Sequence, residues 1–179
     1  MPVHVAFLRA VNVGQRQVKM ADLRVVLEDA GFDDVETYIQ TGNVRVRTPL
    51  RSTAEVGAEL ARVIGDWKGF AVPCVVRTPA ALRATVAAVD AVEPLLRPAG
   101  RRYVALADGT VAKDAAAVLD AWEEPGERVR VLGADVLAEL GNGFQGTKLT
   151  NTRVEKITGL TTTWRDLKVV RALAERWGA

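Results

Sequence analysis

Val3 to Ala10 is a near-continuous apolar run without strict alternation, the pattern of a central strand covered on its faces. Beyond a polar loop, Met20, Leu23, Leu27 and Ala30 recur at helical spacing; Gly31 stops that helix and Phe32 is placed to pack back onto it. Val35 to Gln40 and Asn43 to Arg47 read as short strands joined by a Thr41-Gly42 hairpin turn, with Val44 and Val46 inward and Arg45 and Arg47 toward water. Ser52-Thr-Ala-Glu55 has the form of a capping box, in which the serine hydroxyl bonds an amide of the first turn and the glutamate reaches back. It opens a helix whose apolar stripe is Val56, Leu60, Val63, Ile64 and Trp67; Gly69 ends it, and Val72 to Arg77 reads as a strand. The order βαββαβ is that of a ferredoxin-like split unit, with both helices on one face of the sheet.

The remainder is less regular. Thr78-Pro79 supplies an N-cap and a first-turn proline for a helix carrying Leu82, Val86 and Val89, followed by a Pro-rich connection from Glu93 to Gly100. Arg102 to Ala107 reads as a strand, Val111 to Trp122 as a helix, and Arg128 to Leu132 and Val136 to Leu140 as two strands about Gly133. Thr150 to Thr158 is a short helix stopped by Gly159. Thr163-Trp-Arg-Asp166 is expected to cap a last helix whose Leu167, Val170, Leu173 and Trp177 face inward, with no strand between these two helices. The expected fold is α+β: a ferredoxin-like half over residues 1–78, then a second α+β half with two C-terminal helices over 79–179, packed as one compact unit. No residue-level repeat relates the halves.

Composition narrows the function. With 49% hydrophobic and 26% charged residues, a chain of 179 residues buries a core. No apolar run approaches the roughly 18 residues a membrane helix needs, and the first residues lack a basic stretch followed by a cleavage site, so the expected compartment is the cytoplasm. Cys74 and His4 are the only cysteine and histidine, which excludes an internal disulfide and a Cys/His zinc cluster; no metal and no cofactor is expected. The net charge of +2 is far from the footprint of a DNA-coating protein. Residues 144–179, however, hold seven basic against three acidic side chains, either solvated helix faces or an anion-attracting surface.

Several segments together carry a family resemblance: Leu8-Arg9-Ala10-Val11-Asn12-Val13-Gly14, Tyr38-Ile39-Gln40-Thr41-Gly42-Asn43-Val44, and Lys148-Leu149-Thr150-Asn151 with Glu155-Lys156. These resemble domain-of-unknown-function family 1697 over essentially the whole chain, with Asp166 in place of an asparagine and Gln15 in place of a second glycine. The resemblance implies an α+β fold with a ferredoxin-like N-terminal half, and no established activity, cofactor or substrate.

Polar residues converge in two places. The first strand ends in Arg9 and hands over to Asn12, Gly14, Arg16 and Lys19, donors at the carboxyl end of a strand, while Gln40, Thr41, Gly42 and Asn43 make a hairpin polar at every position. Gly141 to Lys148 contains G-x-G-x-x-G but lacks the following strand of a dinucleotide fold, and Thr147 puts Lys148 out of register with a phosphate loop. A Gly-rich loop feeding Lys148 and a helix N-terminus at Asn151 is nonetheless a physical anion site, to which a second helix start would add Arg165. The leading expectation is a small phosphate- or carboxylate-bearing ligand held by Arg9, Asn12, Gly14, Lys19, Gln40 to Asn43, Lys148, Asn151 and Arg165, bound or turned over. The alternative is a nucleic-acid or protein-binding module using the basic C-terminal region and the sheet face, although the strands lack the aromatic series of RNA-recognition sheets.

Overall fold

A computed structural model describes residues 1–179. The chain divides into two compact units, Met1–Leu82 with Glu175–Ala179, and Arg83–Ala174. In the first, β1 (Val3–Leu8), α1 (Met20–Asp29), β2 (Asp33–Tyr38), β3 (Asn43–Arg47), α2 (Thr53–Lys68) and β4 (Cys74–Arg77) form an antiparallel sheet in the order β2-β3-β1-β4. This is the ferredoxin-like arrangement. Ala6, Leu8, Val44, Val46 and Val76 meet Leu23 and Leu27 of α1 and Val56, Leu60 and Ile64 of α2 in one core. Val5 and Phe7, on the other face of β1, are equally buried, which is why the run does not alternate. The Ser52 hydroxyl accepts the Glu55 amide at 3.4 Å, and α2 closes on Gly69 in the left-handed region. The strand expected to reach Gln40 ends at Tyr38, because Ile39 turns to φ +50 and opens a four-residue turn before β3.

The helix α3 (Pro79–Asp90) begins where the Thr78 hydroxyl accepts the Ala81 amide at 3.1 Å. Then β5 (Arg101–Ala107), α4 (Lys113–Asp120), β6 (Glu127–Leu132), β7 (Asp135–Leu140), α5 (Asn151–Thr158), β8 (Thr162–Asp166) and α6 (Leu167–Trp177) complete the chain. The sheet order β6-β7-β5-β8 repeats the first unit element for element. The expectation that no strand separates the last two helices is corrected by β8, whose threonines and tryptophan suit a strand that pairs with β5 from Tyr103 to Ala107. The true cap of α6 is Asp166, whose carboxylate accepts the Lys168 amide at 2.8 Å.

With β8 in place, the halves are related residue by residue in register. Val5 faces Arg77 and Arg45 as Val104 faces Arg165 and Leu137; Phe7 faces Asn43 as Leu106 faces Asp135. Leu8 donates its amide to the Gly42 carbonyl as Ala107 does to Ala134, and Arg9 to Pro73 as Asp108 does to Thr161. The chain is a structural duplication whose repeats have diverged in sequence.

Candidate functional site

Antiparallel register places the end of β1, the β2–β3 hairpin and the approach to β4 at one end of the first sheet. Asn12 is the hub there. Its Oδ1 accepts the Val18 amide at 2.8 Å, and its Nδ2 donates to the Val18 carbonyl at 3.0 Å and to the Gln40 carbonyl at 2.5 Å. Arg16 ties the same loop to the third segment: Nε donates to the Ala10 carbonyl at 2.8 Å, a terminal nitrogen to the Ala71 carbonyl at 2.5 Å, and the guanidinium lies over the Phe70 ring at 4.4 Å. Arg16, a donor candidate in sequence, is therefore spent on holding the loop. Gly42 is forced by both conformation and space, with φ +77 and an added Cβ 2.6 Å from Val11 Cγ2 and 2.9 Å from Leu8 Cβ. Buried Asn43 closes the turn, its Nδ2 donating to the Tyr38 carbonyl at 3.0 Å and to Thr41 Oγ1 at 2.9 Å. Gly14 sits at φ +57 and its carbonyl accepts from Gln17. Lys19 is exposed at the start of α1 and its side chain makes no cap hydrogen bond; Arg9 is half-buried, and Gln40 and Thr41 are exposed.

The duplication supplies an internal comparison for this end. The β1–α1 connection takes eleven residues, 9–19, against five, 108–112, in the second repeat. The hairpin takes four residues, 39–42, against two, 133–134; the α2–β4 connection takes five, 69–73, against three, 159–161. The same topology closes with half the chain, ten residues against twenty, so the additional length in the first repeat is not demanded by the fold. Ala10, Asn12 and Ile39, three of the four non-glycine residues at positive φ, lie in these extended connections.

In the second repeat two connections at the other end are enlarged, α4–β6 with six residues against three and β7–α5 with ten against five; the latter is the Gly-rich segment, where Lys148 is already occupied. The Glu127 carboxylate accepts the Lys148 amide at 2.8 Å and the Trp122 indole N–H at 2.9 Å. Burial pushes the Glu127 carboxyl up, but hydrogen bonds from Thr147, Trp122 and the amides of Lys148 and Leu149 together outweigh it, holding the group below the usual carboxylate range. Lys148 Nζ pairs with Glu124 at 2.7 Å, and Asn151 Oδ1 accepts from the Thr162 hydroxyl at 2.7 Å. The expected helix start beneath Arg165 is corrected to β8, where Arg165 is buried, donates to Thr163 Oγ1 at 2.9 Å and the Trp164 carbonyl at 2.8 Å, and is pushed down to about 10 by that burial. Phe144, not singled out in sequence, packs on Tyr103 and Trp164 with ring centroids 4.3 and 5.5 Å apart. Its signal was an aromatic residue inside a glycine-rich loop.

Residues 1–136 match the family model described as protein of unknown function (DUF1697). The chain belongs to that family. The match takes in the whole of the DUF1697 chain's 9–19 and 39–42 connections and ends before the Gly-rich segment. A conserved bacterial protein, SP0830 from Streptococcus pneumoniae, has a solved structure that aligns with TM-score 0.74 at 18% identity, over 100% of this chain and 99% of that one. That likeness concerns the fold. No curated protein matches the sequence.

Elsewhere in this DUF1697 protein some of the basic side chains of the sheet face and the C-terminal region are paired with carboxylates. Arg45 meets Glu36 and Arg47 meets Asp34, each at 3.0 Å, and Arg171 meets Asp90 at 2.5 Å. No group of three or more His, Cys, Asp and Glu side chains is placed to hold a metal ion, and no helix is long and apolar enough to cross a membrane. Burial pushes the Cys74 thiol up to about 12, the environment of an inert core thiol rather than a nucleophile.

Proposed function

We propose that the end of the first sheet formed by residues 9–19 and 39–42 binds a small phosphate- or carboxylate-bearing ligand, with Lys19 and Arg9 supplying positive charge and Asn12, Gln40 and Thr41 shaping the polar surface around them. The observation that carries this reading is the internal one: all three connections at this end are longer than their counterparts in a repeat of identical topology. Long, polar connections held in sparsely populated backbone conformations are where binding residues are found on rigid scaffolds. The exposed ammonium of Lys19 adds charge at a helix start, where negative groups are favoured. The Gly-rich segment has less support, since Glu127 already accepts the Lys148 amide and Glu124 pairs with the Lys148 ammonium. The nucleic-acid alternative has less support on the sheet face, where Arg45 and Arg47 face carboxylates.

Thermal shift with inorganic phosphate, sugar phosphates, carboxylates and a short RNA tests the proposal. A ligand at 100 times its Kd stabilises by about 2.7 kcal/mol, several degrees for a chain of this size. The expected result is a small-anion response that Lys19→Ala removes and Lys148→Ala leaves intact. A response to RNA alone, or one abolished by Lys148→Ala and kept by Lys19→Ala, contradicts it.

A further inference from the structure

Beside the proposed anion site stand two apolar side chains that the core does not use. Val13 is 65% exposed and Ile39 44% exposed, and their chain neighbours Asn12 and Gln40 are joined by the 2.5 Å hydrogen bond that fastens the two connections together. Ile39 holds φ +50, where a β-branched residue is a genuine outlier and glycine or asparagine would be relaxed. The second repeat turns its equivalent hairpin with Gly133-Ala134 and has no counterpart to this isoleucine. Packing therefore does not account for a strained, exposed isoleucine at the rim of a polar, basic surface. Contact with an apolar group would.

Resting on the binding site proposed above, we infer that its ligand is an anion with an apolar body, an aryl or alkyl phosphate or carboxylate, whose charged group meets Lys19 and Arg9 while the body lies against Ile39 and Val13. Sugar phosphates and inorganic phosphate offer the charge without the apolar surface and bind more weakly. Within this class, Ile39 and Val13 set specificity and Lys19 sets charge recognition.

Calorimetric titration of the full chain with phenyl phosphate and with inorganic phosphate separates the two ideas. Wild type is expected to bind phenyl phosphate about tenfold more tightly than inorganic phosphate, as removal of a few tens of Å² of apolar surface from water predicts. Ile39→Asn should lose that preference by weakening phenyl phosphate far more than inorganic phosphate, and melt no lower than wild type, since asparagine accepts the left-handed conformation. Val13→Ser should lose part of the preference in the same way. Equal affinity for the two probes, or a preference that survives both substitutions, overturns this inference while the anion site stands. Failure of wild type to bind either probe, or binding undiminished in Lys19→Ala, overturns the site itself and the inference with it.

Discussion

Replacing Gly42 by alanine tests whether the hairpin is closed onto the end of β1 as tightly as the geometry requires. Two costs add. An L-residue at φ +77 pays about 1–2 kcal/mol for the left-handed conformation. The new methyl would lie 2.6 Å from Val11 Cγ2 and 2.9 Å from Leu8 Cβ, both buried, and overpacking of this kind costs about 1–3 kcal/mol. The sum is about 2–5 kcal/mol, and at roughly 3 °C per kcal/mol for a chain of this size the midpoint should fall by about 6–15 °C. Gly14→Ala is the control, because its φ of +57 carries the conformational cost while an added Cβ meets nothing within 4 Å. Scanning calorimetry and urea titration of both variants isolate the steric part as their difference. If Gly42→Ala is no more destabilising than Gly14→Ala, the hairpin is not packed against Leu8 and Val11, and the assembled end described above is wrong.

Three further outcomes follow from buried groups. Glu139 is 0% exposed and accepts the amides of Leu95 at 3.0 Å and Gly100 at 2.9 Å and the Arg102 guanidinium at 3.0 Å, so Glu139→Ala should cost about 3–5 kcal/mol in urea titration at neutral pH. Burial raises its carboxyl, but the amides of Leu95 and Gly100, Arg102 and the amide of Leu96 outweigh it, and the folded group titrates below its ordinary 4.5. Its stabilisation is thus full above pH 4.5 and lost as pH falls through the folded value, so the gap between wild type and Glu139→Ala should narrow below pH 4.5; an unchanged gap would count against a paired carboxylate. Glu127→Ala should release the Gly-rich segment, seen as faster hydrogen exchange at the Lys148 and Leu149 amides, and unchanged exchange would mean that the carboxylate does not hold them. With its thiol pushed up to about 12 by its surroundings, the partly buried Cys74 should react with a disulfide reagent at pH 8 far more slowly than an unhindered thiol; labelling at the rate of a free thiol would contradict that shift.

The first repeat was legible in sequence because its local signals agree with one another: an uninterrupted central strand, a serine N-cap at Ser52 and glycine stops at Gly31 and Gly69. The second repeat was hidden by β8, where Thr163 and Asp166 imitate a capping box although the helix starts at Leu167. Without that strand the duplication cannot be seen, and its equivalences survive as register more than as letters: arginine is kept between Arg77 and Arg165, while Asn43 answers to Asp135 and Arg9 to Asp108. The two connections of the candidate site were picked out as polar, but their joining by Asn12 across 28 positions to the Gln40 carbonyl is a backbone contact that no side-chain pattern announces. Glu127 and Glu139 do not stand out in the sequence, because nothing local marks the amides that fold back onto them.

The most direct measurement is an amide chemical-shift titration of the isotopically labelled protein with phenyl phosphate, which needs no substitution and reports every backbone position at once. Saturable shifts are expected in residues 9–19 and 39–42, with those of 141–149 unmoved. Shifts concentrated in 141–149, or scattered over exposed lysines and arginines without saturation, would contradict it.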